Sequence, residues 1–325
     1  MKKILFATTA LVASTGFAAA QEMAVSGFAE MGIFGGDDID TQFHTDVDVT
    51  FTGVGETDGG LTFGFDVDLD EEIGDNNAVT GGPESGATRD DSDDGGATIF
   101  VSGAFGTLTM GDTDGALDWA LTEAIIGSSL RDDHEHAGYN GNAGLDGIYD
   151  GQVARYDYAF GDFAFAASAE VPDDEDLGDP VLGLGARYAG DFSGIGFSAG
   201  LGYQTVENDF DDADIWGVSL AGEFYEGFEA IVNYSTLDSS VLDGDVDHTG
   251  LALGYTAGAI TVAANWGQFD FEDDTEASGW GLVANYDLGG GAELQAGYGN
   301  SEFDGFGVAD DDDFSTYSFG IAMAF

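Results

Sequence analysis

Apolar and small or polar side chains alternate at every second position along most of the chain, which restricts those stretches to β-strands with two unlike faces. In LTFGFDVDLD, Leu61, Phe63, Phe65, Val67 and Leu69 share one face, and Thr62, Gly64, Asp66, Asp68 and Asp70 the other. The preceding FHTDVDVTF sets Val47, Val49 and Phe51 against Asp46, Asp48 and Thr50, and GVGETDGG between the two reads as the turn of a hairpin. The closing FSTYSFGIAMAF places Tyr317, Phe319, Ile321, Met323 and Phe325 on a single apolar face. Repetition of this pattern gives about sixteen strands, each near the 9–11 residues that cross a bilayer. Short glycine-rich connectors alternate with longer acidic ones, and Pro83, Pro172 and Pro180 all fall in the longer set, where no ladder hydrogen bond is lost.

A soluble protein could alternate in the same way. Sixteen meandering strands in water would form a propeller or two sandwiches, yet the chain shows neither a blade repeat of about 40 residues nor a G-G-x-G-x-D solenoid repeat. A closed barrel in lipid pairs every backbone group and leaves no edge. The fold class is therefore all-β, a transmembrane antiparallel barrel whose apolar face meets lipid. Lys2 and Lys3, an apolar stretch to Phe17 and the small residues Ala18–Ala20 have the order of a secretory signal peptide, so residues 1–20 are expected to be removed and 21–325 to form one barrel domain. The exported part then holds four arginines against 63 acids, a formal charge of −59. That balance excludes nucleic acid and favours cations. Without cysteine no disulfide framework is possible, and 25 phenylalanines argue against disorder.

From Asp112 to about Gln152 the alternation lapses, over a length well beyond the roughly 12–15 residues of ordinary loops. Within it ALDWALTEAII sets Leu117, Leu121 and Ile125 at helical spacing, which predicts a short amphipathic helix lying on the barrel wall. The signal peptide, the stretch GAFGTLTMGDTDGALDW leading into this long segment, and the terminal Phe325 with its alternate apolar partners resemble the trimeric general porins of Gram-negative outer membranes, in particular the Rhodobacter-like alphaproteobacterial type. The resemblance spans the mature chain. It implies an outer-membrane homotrimer, a third long loop folded into the lumen as a constriction, and a terminal strand that serves as an insertion signal (Tyr317, Phe319, Ile321, Met323, Phe325) for the outer-membrane assembly machinery. It also implies that the second long loop, with Arg89, latches a neighbouring subunit.

The constriction loop carries Asp112, Asp114, Asp118, Glu123, Asp132, Asp133, Glu135 and the single arginine Arg131. On the wall, alternation turns Asp46, Asp48, Asp66, Asp68, Asp70, Arg155, Asp157 and Arg187 towards the lumen, since a charge facing lipid at mid-height costs about 2–4 kcal/mol. Loop acids opposite the wall arginines would set up a transverse field, though two arginines are few beside the larger basic cluster of the family. Lumenal carboxylates favour cations and repel anions, so the expected function is a water-filled, cation-favouring pore for passive diffusion of ions and small hydrophilic solutes. A solute-specific channel and a barrel hydrolase are the rival readings. No G-x-S-x-G elbow supports the hydrolase, and nothing specifies a sugar or peptide site. A purely structural barrel would need a plugged lumen, against which the glycine-rich inward faces speak. His134 and His136 form an H-x-H among acids that read as solvated, and no metal is assigned to them. Acid clusters such as Asp310–Asp313 suit weakly bound calcium and, through divalent ions, contact with lipopolysaccharide in the surrounding outer-membrane lipid.

Overall fold

The computed structural model describes residues 22–37, 39–70, 96–149, 151–172, 178–192, 194–207, 212–225, 227–241, 244–272, 275–305 and 312–325. Sixteen antiparallel strands, β1 (Glu22–Gly36) to β16 (Asp312–Ala324), form a closed barrel in which each strand pairs with its neighbours in the chain and β1 pairs with β16. Closure follows from the solvent: in hydrocarbon an unpaired strand edge has no water to bond, so the sheet must meet itself. At the seam the register runs from Phe28↔Ala324 to Gly36↔Thr316, and Phe325 completes it, accepting from Gly27 N at 3.3 Å and donating to Gly27 O at 2.8 Å. The signal-peptide residues, Arg89 and the acids at 310 and 311 lie outside the described residues.

The strands face as their alternation predicts. Tyr317, Phe319 and Phe325 are exposed on the outer surface, while Thr316, Ser318 and Ala322 between them are buried inside. Outward aromatics meet across strands near the upper rim, the end with the long loops: Tyr203↔Trp216, Trp266↔Trp280 and Tyr298↔Tyr317 are registered pairs. Such rings suit the interface between hydrocarbon and headgroups. One boundary differs from the sequence expectation. GVGETDGG is not all turn, because β2 (Ile39–Glu56) continues through Gly53 and Gly55 before turning at 57–61. The rings of Phe65 and Phe63, one strand away on β3 (Thr62–Asp70), cover the two glycines so closely that a Cβ there would lie 2.4 and 2.6 Å from them. Cross-strand aromatic cover of this kind lets glycine persist in a strand.

Deleting Phe325 removes both seam hydrogen bonds, worth about 1 kcal/mol each. We expect a smaller fraction of folded, heat-modifiable barrel on cold electrophoresis, with the unfolded band growing in proportion.

Candidate functional site: the loop inside the barrel

The segment between β5 (Gly106–Asp112) and β6 (Gln152–Phe160) lies inside the barrel. It runs across the inner wall from β7 (Phe163–Glu170) to β16 and β1, then returns. Its helix is shorter than predicted, covering only Ala116–Ala120, and Leu121 is already extended. The reason is visible in the hydrogen bonds. Thr122 N donates to Ser219 Oγ at 2.8 Å and Asn233 Nδ2 donates to Thr122 O at 3.1 Å, so the wall takes over the backbone groups a longer helix would have bonded internally. The predicted apolar face does pack on the wall: Leu117 is 1 % exposed among Val181, Val206 and Ile215.

Glycine makes this approach possible. A Cβ on Gly185 would come within 2.1 Å of Ala116 O, on Gly200 within 2.1 Å of Ala120 O, and on Gly281 within 1.7 Å of His134 O. On Gly320 it would lie 2.3 Å from a Leu130 methyl. These inward glycines are therefore not open lumen, as the sequence suggested, but the track on which the loop rests. Between them the wall supplies polar side chains at matching height. Ser318 Oγ donates to Leu130 O at 2.9 Å, Asn285 Nδ2 to Ser128 O at 2.7 Å, and Ala137 N donates to Ser301 Oγ at 2.9 Å.

Burial sets the protonation of the loop. His134 and His136 are 2 % and 1 % exposed, although the acids around them read as solvated in the sequence, because they lie on the wall side against Gly281 and Gly279. Desolvation pushes their pKa values down to about 4 and about 3. Asp133, fully buried, is pushed up to about 6, and Asp118 to about 8 by burial first and then by Asp114 and Glu123. The signs are opposite for the two kinds of group. Neutral histidines favour the seated loop above their ordinary 6.5, and this is lost as pH falls through about 4 and 3. Neutral carboxyls favour it below their ordinary 3.8, and this is lost as pH rises through about 6 and 8.

The remaining predicted residues divide into three groups. Asp46, Asp48, Asp66 and Asp68 share the inward register of β2 and β3, with Asp70 at the same register opposite Asp48. Glu30 joins them, opposite Asp46 and 3.3 Å from His44. Asp114, Asp118, Glu123, Asp132 and Glu135 lie on the loop with their side chains at least partly accessible; Asn142 Nδ2 donates to Asp118 Oδ1 at 3.3 Å and the Tyr139 hydroxyl donates to Glu123. Arg131 stacks on Phe34 of β1, its guanidinium carbon 3.7 Å from the ring centre. Two expectations fail. Asp112 sits exposed at the end of β5 beside Gln152, on the outward register, because only Thr107, Thr109 and Gly111 of that strand share the inward register of Arg155 and Asp157. The wall arginines do not face the loop acids across a gap. Arg155 Nη1 donates to Asp114 O at 2.5 Å, and Arg187 Nη1 to Trp119 O at 3.0 Å while stacking 3.8 Å over the Trp119 ring. The loop leaves the wall beside these strands, which brings its carbonyls within reach of both guanidiniums. Each of the two arginines therefore keeps its positive charge on the wall while bonding the loop backbone.

Alternation missed the residues that hold the loop, because a buried wall Ser, Asn, Gln or Glu has the same register as a lumenal one. The available signal was the contrast between halves: inward Asp on β2 and β3, inward Gly, Ser and Asn from β8 (Val181–Phe192) onwards.

A closed barrel with an apolar exterior, a charged interior and a loop narrowing it at mid-height defines a transmembrane diffusion channel. The chain belongs to the Gram-negative porin family, whose model matches residues 7–305. A porin of Rhodobacter capsulatus is 28% identical over 312 residues, covering 86% of this chain and 95% of that one. A porin structure refined at 1.8 Å shares the fold with a TM-score of 0.70 at 24% identity, over 94% of this chain and all of that one. An engineered mutant of Rh. blastica porin does so at 0.66 and 21% identity, with the same coverage of both chains. The protein is an outer-membrane porin that passes solutes by diffusion and is not an enzyme.

Gly281→Val places side-chain atoms where His134 O now lies. Overpacking of this order costs about 1–3 kcal/mol, and the loop can yield more easily than the wall. We expect folded barrels with an altered single-channel conductance, measured in planar bilayers.

Proposed function

We propose that this porin favours cations. The supporting observation is the excess of acids, Glu30, Asp46, Asp48, Asp66 and Asp68 on the inward register of the wall and Asp114, Asp118, Glu123, Asp132 and Glu135 on the loop, over the three arginines Arg131, Arg155 and Arg187. Carboxylates lining a pore attract cations and exclude anions by their field. Small hydrophilic solutes pass without a dedicated site. The working unit in this reading is a homotrimer, with Arg89 of the second long loop reaching a neighbour.

Contact with lipopolysaccharide is supported by a band of outward acids just above the aromatic pairs. Asp214↔Asp238, Asp247↔Asp270, Asp270↔Glu276 and Glu302↔Asp313 oppose one another directly across strands. Like charges in register repel, and divalent cations such as calcium shared with lipid phosphates would relieve this at headgroup level. In the same reading the terminal face from Tyr317 to Phe325 is what the assembly machinery recognises, after removal of the first 20 residues as a signal peptide.

The test is a planar bilayer under a potassium chloride gradient. We expect conductance steps grouped in threes and a reversal potential of cation-favouring sign. Asp118 is neutral below its raised pKa of about 8 and charged above it, so the cation preference should grow from pH 5 to pH 9. A zero or anion-favouring potential throughout would refute the reading. Separately, chelating divalent ions should lower the thermal stability of the porin in lipopolysaccharide-containing membranes and leave it unchanged in neutral detergent.

A further inference from the structure

The loop is held at its neck by three wall side chains that alternation alone could not single out. Glu170, on the last residue of β7, is 0 % exposed. Its carboxylate accepts from the backbone N–H groups of the returning limb, Gly147 at 2.9 Å, Tyr149 at 3.3 Å and Gly151 at 2.8 Å. Gly147 and Gly151 have φ of +83° and +73°, which curls the backbone so that successive N–H groups converge on one anion. Two residues earlier on the same strand, Ser168 Oγ accepts from Ala116 N of the outgoing limb at 2.8 Å. On β9 (Ile195–Glu207), Gln204 is also 0 % exposed; it accepts from Leu145 N at 2.7 Å and donates to Asp146 Oδ2 at 2.6 Å. Asp146 Oδ2 in turn accepts from Gly115 N at 3.0 Å, tying the two limbs together.

We propose that Glu170, with Gln204 and Ser168, is a clasp that positions the constriction loop and thereby sets the width of the aperture. The clasp fixes both limbs where the loop leaves the wall, ahead of the ties further along at Thr122, Ser128, Leu130 and Ala137, so it sets the course on which those residues meet their partners. A buried carboxylate with three backbone donors is a directional anchor: the acceptor is fixed on the wall, and the three N–H groups of the limb must all point at it. Gly144 lies against Gln204 closely enough that a Cβ would meet Oε1 at 2.2 Å, so the returning limb has one resting position while the clasp is made. Glu170 touches no solute on this assignment and acts through the loop.

The experiment compares wild-type porin with Glu170→Ala and with Gly151→Val. The first empties the carboxylate site from the wall; the second leaves the wall intact and removes the left-handed residue that aims the third N–H. Both are assembled as full chains, and only barrels showing the heat-modifiable folded form enter planar bilayers. The expected result for both is a shift of single-channel conductance away from the wild-type value, greater current fluctuation, and faster uptake of oligosaccharides near the wild-type size limit into liposomes. Glu170→Asp, which keeps the charge on a shorter arm, should lie between. Folded channels of both variants with wild-type conductance, noise and size limit would overturn the proposal, even if their thermal stability were lower, since that pattern belongs to a residue that only supports the barrel. If Glu170→Ala yields no folded barrel, Gly151→Val decides alone by the same two outcomes.

Discussion

A stretch of irregular backbone lies inside this barrel at membrane depth, and the structure depends on how that backbone is satisfied. Such backbone survives there only where protein or lumenal water takes its hydrogen bonds. Here the wall takes many of them. Glycines at Gly185, Gly200, Gly281 and Gly320 let the loop approach to backbone contact, and Ser, Asn, Gln and Glu side chains between them supply donors and acceptors. Missing side chains and added polar ones are two halves of one fitting. Without the glycines the polar groups could not reach, and without the polar groups the close approach would bury unpaired N–H and C=O at roughly 1–3 kcal/mol each.

The same contact sorts the charges. On the wall side of the loop burial disfavours charge, lowering the pKa values of His134 and His136 and raising that of Asp133, because a charge there would be stripped of water.

Most of the barrel was legible in the chain. Strand alternation assigns inside and outside residue by residue, as for Phe63 against Asp66 or Phe319 against Ser318, because a one-residue change of register would turn every aspartate of β3 into lipid. The lapse of alternation after Asp112 likewise marks the loop. Helix length was misjudged because Leu121 and Ile125 continue a helical spacing that wall hydrogen bonds override at Thr122. The surroundings of the histidines and of the two wall arginines were not legible for a related reason: their partners, Gly281, Gly279, Asp114 O and Trp119 O, are brought to them only by the path of the loop.

By itself, then, the sequence determined a closed antiparallel barrel with a greasy exterior, an acidic interior and one segment that could not be strand. These follow from local alternation and from the solvent on each face, both of which are written in consecutive residues. Only the tertiary structure decided where that segment rests, which inward glycines are track and not lumen, and that Glu170 and Gln204 grip its neck. Those contacts join residues from about twenty to nearly two hundred positions apart, and an inward polar side chain looks the same in sequence whether water or a folded loop lies against it.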